Sequence, residues 1–238
     1  MRDGGRDRIF NLRIESCMSK NGLSNRIEKH QYGIHDKGRG YIGASNIGSP
    51  CLRQIWYEFK GVNADLIPPK MRRAWEIGNC LESLILDWIE QTGLTIDREW
   101  EQLQSKNVPL FKGHLDSVWV SRGQTMKNAI AIIEIKTAKD SNFNLFVKNG
   151  LKKWSPQYYA QIQSYMGMSG IYTTYIFVLN KDNSNISDEK VHFDEAFYES
   201  LEEKARLIES AAVPPPKING SPSWYLCKMC KFNKVCHS

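Results

Sequence analysis

The stretch Ala-Ile-Ala-Ile-Ile-Glu-Ile-Lys-Thr at residues 129–137 limits what this chain can fold into more than any other. As a strand it puts Ile130, Ile132, Glu134 and Lys136 on one face and Ala131, Ile133 and Ile135 on the other. Both faces begin apolar, which marks a central strand covered on both sides. A carboxylate and an ammonium then follow on one face, one pleat apart. Buried without partners, each costs several kcal/mol. Either the strand end has reached solvent and carries a surface pair, or it enters a polar site built to receive both charges.

The surrounding pattern predicts an α/β chain. Regular structure is expected to begin in YIGASNIGSPCLRQIWYEFKG, with Pro50 at the N1 position of a helix and Leu52, Ile55, Trp56 and Phe59 on one of its faces. A longer helix spans about Pro69 to Gln91, its apolar residues Ile77, Leu81, Leu84, Ile85, Trp88 and Ile89 recurring at three and four. Strands are expected over 98–104, 110–120 and 129–136, the last two antiparallel across the polar loop SRGQTMKN. Helices follow over 142–149 and 155–168, the second opened by Ser-Pro. A strand over 172–179, a partner over 189–193 and an amphipathic helix over 194–211 complete the core. Residues 1–40 read as a flexible basic arm with a short helix near 24–30, residues 41–212 as the core, and 213–238 as a Cys-rich appendage after a VPPPK spacer.

Composition narrows the function classes. The net charge of +6 permits a nucleic-acid partner without the excess of a histone-like tail. No apolar run approaches the ~20 residues of a membrane span, and the first ten residues hold no secretory apolar segment. A cytoplasmic protein with reduced cysteines is the expectation. No Gly-x₄-Gly-Lys-Ser/Thr segment is present, so any helicase motor must be a separate protein.

In Phe-Lys-Gly-His-Leu-Asp, residues 111–116, Asp116 shares a face with His114. An antiparallel partner would set Asp116 beside Glu134. Two adjacent carboxylates raise each other's pKa unless a divalent cation lies between them, and hard oxygen ligands suit Mg²⁺ or Mn²⁺. Lys136 could orient a metal-bound water or neutralise a phosphate oxygen. His114 could touch metal or substrate, or serve as a hydrogen-bonded structural residue.

Asp116 with Glu134-Ile135-Lys136 resembles the PD-(D/E)XK nuclease core, and the GHLD segment ahead of EIK resembles its RecB and lambda-exonuclease branch. The resemblance implies a restriction-endonuclease-like mixed sheet flanked by helices, and a Mg²⁺ or Mn²⁺ site held by Glu82, Asp116, Glu134 and the Ile135 carbonyl. Glu82 stands on the 69–91 helix where RecB-type members usually carry His. Gln161 and Tyr165 resemble the family's QxxxY motif, with Gln157 one turn earlier on the same stripe. Tyr158, Tyr159, Ile162 and Met166 read as packing residues. Arg72 and Arg73, ahead of Glu82, and Lys152 and Lys153, beside Trp154, are expected to contact substrate.

Cys227, Cys230 and Cys236 form C-x₂-C-x₅-C on a Lys-rich segment, a pattern that points to metal and needs a fourth ligand. Cys51 and His237 are the candidates, ahead of Cys17 and Cys80. One upstream Cys with a C-terminal Cys triad resembles the iron–sulfur exonucleases of the AddB type and the CRISPR-associated Cas four family. That resemblance implies a [4Fe–4S] cluster on Cys51, Cys227, Cys230 and Cys236, closing a metal cap over the core; Zn²⁺ is the physical alternative.

The reading that joins these features is a metal-dependent DNA exonuclease acting on single-stranded ends. Its setting would be recombination, repair, phage DNA processing in a host cytosol, or CRISPR adaptation. It would work beside a separate helicase, recombinase or CRISPR adaptation proteins. A structure- or site-specific endonuclease on the same core and a non-catalytic zinc-clamped DNA-binding module are the alternatives.

Overall fold

A computed structural model describes residues 22–32, 38–98, 102–124 and 128–238. A five-stranded sheet, in the order β2-β5-β6-β7-β8, carries the core. Its strands are β2 (Thr95–Asp97), β5 (Ser117–Val120), β6 (Ala129–Ala138), β7 (Thr173–Asn180) and β8 (Ile186–His192). Only the β6–β7 pair is parallel. As its pattern required, β6 lies at the centre. Ile132 packs with Val118, Ile176 and Val178 into the larger core, while Ile133 and Ile135 face a second core with Ile85, Leu86, Ile96 and Leu179.

The helices are α1 (Leu23–Tyr32), α2 (Ala44–Ile47), α3 (Leu52–Phe59), α4 (Pro69–Gln91), α5 (Asp140–Asn149), α6 (Leu151–Trp154), α7 (Pro156–Ser169), α8 (Glu195–Ser210), α9 (Tyr225–Lys228) and α10 (Asn233–His237). Helix α4 covers the second core. Helix α7 fills the larger one and is buried on most sides, from Tyr159 to Met168. Its ends follow from local chemistry. The Ser155 hydroxyl accepts the Tyr158 N–H at 3.3 Å, and Gly170, at φ 76°, turns the chain out in the left-handed region. Close approach is built in as well: a Cβ on Gly48 would stand 2.6 Å from the Gln157 Cα, so α2 can lie directly on α7 only with glycine there.

Several elements differ from the sequence expectations. The 110–120 segment is two strands, β4 (Phe111–Gly113) and β5, broken at His114-Leu115-Asp116. The break occurs because β4 belongs to a separate three-stranded sheet, β1 (Ile42–Gly43), β4 and β3 (Leu103–Gln104). Of the expected 98–104 strand, only Leu103–Gln104 is strand, as β3; β2 ends before it at Asp97, and residues 99–101 lie outside the described residues. Pro50 precedes the first turn of α3 rather than entering it, because Cys51 is the N-cap. On α4, Ile85 and Leu86 are buried, but Ile77, Leu84 and Trp88 remain exposed, since the sheet beneath is narrower than the apolar stripe. The short helix in the basic arm is α1, tied to α4 by Arg73, which meets Glu28 at 2.6 Å and Gln31 at 2.9 Å. The arm's residues 1–21, with Cys17, lie outside the described residues. Among the described residues no helix is long and apolar enough to cross a membrane.

The last segment returns to α3. Trp56 Nε1 donates to the Ala211 carbonyl at 2.9 Å and Arg53 Nε to the Pro215 carbonyl at 2.5 Å. Lys231 pairs with Glu58 at 3.2 Å, and Phe232, fully buried, meets the Tyr57 ring at 5.5 Å between centroids. Hydrogen bonds, an ion pair and ring packing thus dock the C-terminal segment on α3. Phe232→Ala is expected to cost about 3–5 kcal/mol. Limited proteolysis should then cleave after residue 212 while a protected core fragment survives, a result that mass spectrometry of the fragments reads directly.

Candidate active site

The break between β4 and β5 creates the site. The antiparallel register pairs Ser117 with Ile133, so Asp116 leaves the strand level with Glu134. Its Oδ2 accepts the Ile135 N–H at 2.9 Å, which fixes the carboxylate against the edge of β6. Glu134 is fully buried, and the Lys136 ammonium donates to its Oε1. Its other oxygen, Oε2, is buried without a hydrogen-bond partner. The two charges on β6 thus form no surface pair; they occupy a walled polar site.

Glu82, half-buried on α4, approaches from the other side. Burial, reinforced by Asp116, raises its pKa to about 7, against the opposing pull of Lys136. Burial raises Glu134 to about 8, with Asp116 and Glu82 adding repulsion, and Asp116 is raised by the same burial. Lys136 is held above the ordinary lysine range because Glu134 and Asp116 outweigh the burial that would lower it. Three carboxylates share one ammonium, and their raised pKa values record the cost of ionising all three together.

Helix α7 supplies the remaining wall. Gln161 Nε2 donates to the Tyr165 hydroxyl at 2.8 Å, both residues being buried. Tyr165 is raised well above the usual phenol range, first by burial and then by Glu134, so its hydroxyl stays protonated beside the carboxylates. Tyr158 packs against the larger core, as expected, and also faces the site: its ring centroid lies 5.0 Å from Lys136 Nζ. Trp154 backs it at 5.5 Å. A cavity beside Asp116 and Tyr165 is lined by Arg39, Tyr41, Asn79, Lys112 and His114. His114 is exposed there, with Nε2 3.0 Å from the Gln102 amide nitrogen. The sequence carried no signal for Arg39, Tyr41, Asn79 or Lys112, because they reach the cavity from three separate segments.

Other expected substrate contacts are placed differently. Gln157 donates to the Ser45 carbonyl at 2.9 Å and so ties α7 to α2. Arg73 is engaged by α1, while Arg72 is half-buried on α4. Lys152 turns toward the start of α8, 3.8 Å from Asp194 and 4.7 Å from the Tyr159 ring. Lys153 is exposed on α6.

Cys51, Cys227, Cys230 and Cys236 line one pocket with His237. All four are free thiols, whereas Cys80 is exposed on α4. Burial pushes the Cys227 and Cys230 thiols up, and neighbouring cysteines, Cys51 and Cys236 among them, add to it. Yet among the described residues no group of three or more His, Cys, Asp or Glu side chains stands in an arrangement that could hold a metal ion. The expected metal cap is therefore a convergence of thiols, not a formed ligand set. At the carboxylates, the Lys136 amine and the Ile135 N–H occupy oxygens that a cation would need.

No protein-family profile matches the chain, and no curated relative does. Solved structures do. LHK-Exo, an alkaline exonuclease from Laribacter hongkongensis also solved in complex with dAMP, aligns at 16% identity and a TM-score of 0.55. The alignment covers 78% of this chain and 91% of that one. SSO0001 aligns at 19% identity and a TM-score of 0.55, over 91% of this chain and 96% of its own. A phage-related exonuclease from Haemophilus somnus 129PT aligns at 15% and 0.51, over 75% and 94%. The chain shares the fold of these proteins.

The site's tightest steric constraint lies at Gly113, where a Cβ would sit 2.5 Å from Tyr165 Cε1 and 3.0 Å from the Ala44 Cβ. Gly113→Ala must push the buried Tyr165 ring off its place. The expected outcome is a loss of about 1–3 kcal/mol, read as a Tm lower by roughly 2–12 °C.

Proposed function

We propose that this protein is a divalent-metal-dependent DNA exonuclease acting on single-stranded ends. The observation that carries the reading is Glu134: a buried carboxylate with one unpartnered oxygen, level with Asp116 and faced by Glu82. Leaving such an oxygen bare costs about 1–3 kcal/mol or more, a cost that a cation would relieve. The donor set, three carboxylates with the Ile135 carbonyl alongside, is hard oxygen and suits Mg²⁺ or Mn²⁺. The exonuclease likeness of the fold supports the reaction class.

Asp116, Glu134 and Glu82 would hold the ion. When bound, it supplies a lowered water pKa and positive charge against the pentacovalent phosphate. The chain's own residues do the rest. The Lys136 ammonium, once Glu134 turns its oxygen elsewhere, faces the attacking water or a nonbridging phosphate oxygen. Tyr158 covers that ammonium on its open side and holds its direction. The neutral donors of Gln161 and Tyr165 fix the phosphate without adding charge, and Arg39 and Lys112 at the cavity rim draw the strand in.

The converging thiols support a second metal assignment: a [4Fe–4S] cluster on Cys51, Cys227, Cys230 and Cys236, with Zn²⁺ as the alternative that could admit His237. The cluster would add covalent closure to a tail that packing already docks.

Lys136→Ala and Glu134→Ala are each expected to lower kcat by at least about a hundredfold, with circular dichroism unchanged. A Lys136→Ala protein of wild-type kcat in Mg²⁺ or Mn²⁺, measured on end-labelled single strands, would remove the assignment. Anaerobically purified protein is expected to be brown, with about four irons per chain and broad absorption near ~400 nm. Cys51→Ser should lose most of that iron, and His237→Ala should keep it. A colourless wild type with one zinc would select the alternative.

A further inference from the structure

Beyond the carboxylates, a polar groove runs out from the C-terminal end of β6 between Thr137, Lys139, Trp154, Tyr158 and Lys181. We infer that this groove carries the single-stranded nucleic-acid segment adjoining the scissile phosphate, with its backbone on Lys139 and Lys181 and a base against the Trp154–Tyr158 pair. The inference rests on the nuclease reading and adds the strand's path to it.

The sheet register sets the geometry. In the parallel pair, Ala138 lies opposite Asn180, and the Lys181 N–H donates to the Ala138 carbonyl at 2.9 Å. Lys139 and Lys181 therefore leave the sheet side by side, both exposed. Two neighbouring lysines lining one groove favour an anion there. The acids that follow them in sequence, Asp140 and Asp182, are hydrogen-bonded to the loops. Asp140 accepts from Asn180 at 2.8 Å, Asn183 at 3.0 Å and Asn144 at 3.0 Å, and Asp182 accepts the Asp140 N–H at 2.8 Å. These bonds hold both loops in place, with Lys139 and Lys181 lining the groove.

The groove's other wall is aromatic. Phe146, Trp154 and Tyr158 form a row with centroids 5.2 and 5.5 Å apart, and Tyr158 ends it over Lys136. A π-faced wall opposite a cationic one is the pairing that single strands use: bases stack and phosphates track the charge. The position agrees with the tendency of open α/β sheets to take ligands beyond the carboxyl ends of their strands. Duplex binding would not need an aromatic wall, since paired bases offer no free face along the strand.

The test is the double variant Lys139→Gln/Lys181→Gln in the full chain, with a fluorescent single strand of about twenty nucleotides. Anisotropy without divalent metal reads binding, and digestion in Mg²⁺ or Mn²⁺ reads turnover. The expected result is a Kd and KM about tenfold higher, and a binding salt slope shallower by about 1.4, two phosphates at ~0.7 each. A wild type that digests the strand beside a double variant of equal Kd, KM and salt slope overturns the groove and leaves the nuclease reading standing. A wild type that binds but does not cut, with the variant's affinity and slope reduced as stated, supports the groove and overturns the nuclease reading. A wild type that neither binds nor cuts overturns both.

Discussion

Everything at the active site depends on burying Glu134 at the end of β6. A carboxylate with no exposed surface, on a strand covered on both faces, is tolerable only with compensation. Lys136 supplies part of it, one pleat away, and its hold on Oε1 leaves Oε2 bare. The nearby carboxylates of Asp116 and Glu82 make the imbalance worse, not better. That uncompensated oxygen is the observation on which the proposed cation site rests. The hydrophobic strand start and the charged strand end are two halves of one device. Ile132, Ile133 and Ile135 anchor β6 rigidly so that the charges are presented without slack.

The same anchoring explains why α7 is so deeply embedded. It must bring Gln161, Tyr165 and Tyr158 to the sheet within ångströms, and it does so by packing backbone closely at Gly48 and Gly113. The extra three-stranded sheet serves this end, since β4 is what places Gly113 under the Tyr165 ring. Its cost is the interruption at His114–Asp116, and that interruption frees Asp116 from the ladder to act. A continuous 110–120 strand would have kept Asp116 within the pairing of one sheet.

The C-terminal segment is a separate problem in stability. Trp56, Arg53, Glu58 and Phe232 dock it on α3 through hydrogen bonds, an ion pair and ring packing. The four cysteines converge on the same seam, so metal binding there would reinforce contacts that already exist. This differs from a small zinc module, whose fold depends wholly on its ion.

Much of this was legible in the chain. The centrality of β6, the span of α4 and α7, and the antiparallel placement of Asp116 beside Glu134 follow from residue alternation, helical spacing and caps, because those rules act over a few residues. The substrate-contact expectations were less informative: charge near a motif in sequence does not say which way a long side chain turns. Lys152 and Arg73 satisfy neighbouring elements, whereas Tyr158 faces the site and Lys139 and Lys181 line the groove beside it. Strand register and the approach of α4 and α7 decided that, as did the break at 114–116 and the rim of Arg39 and Lys112. They arise from pairings between segments far apart in the chain, and no local pattern encodes which distant side chain will fill a given space.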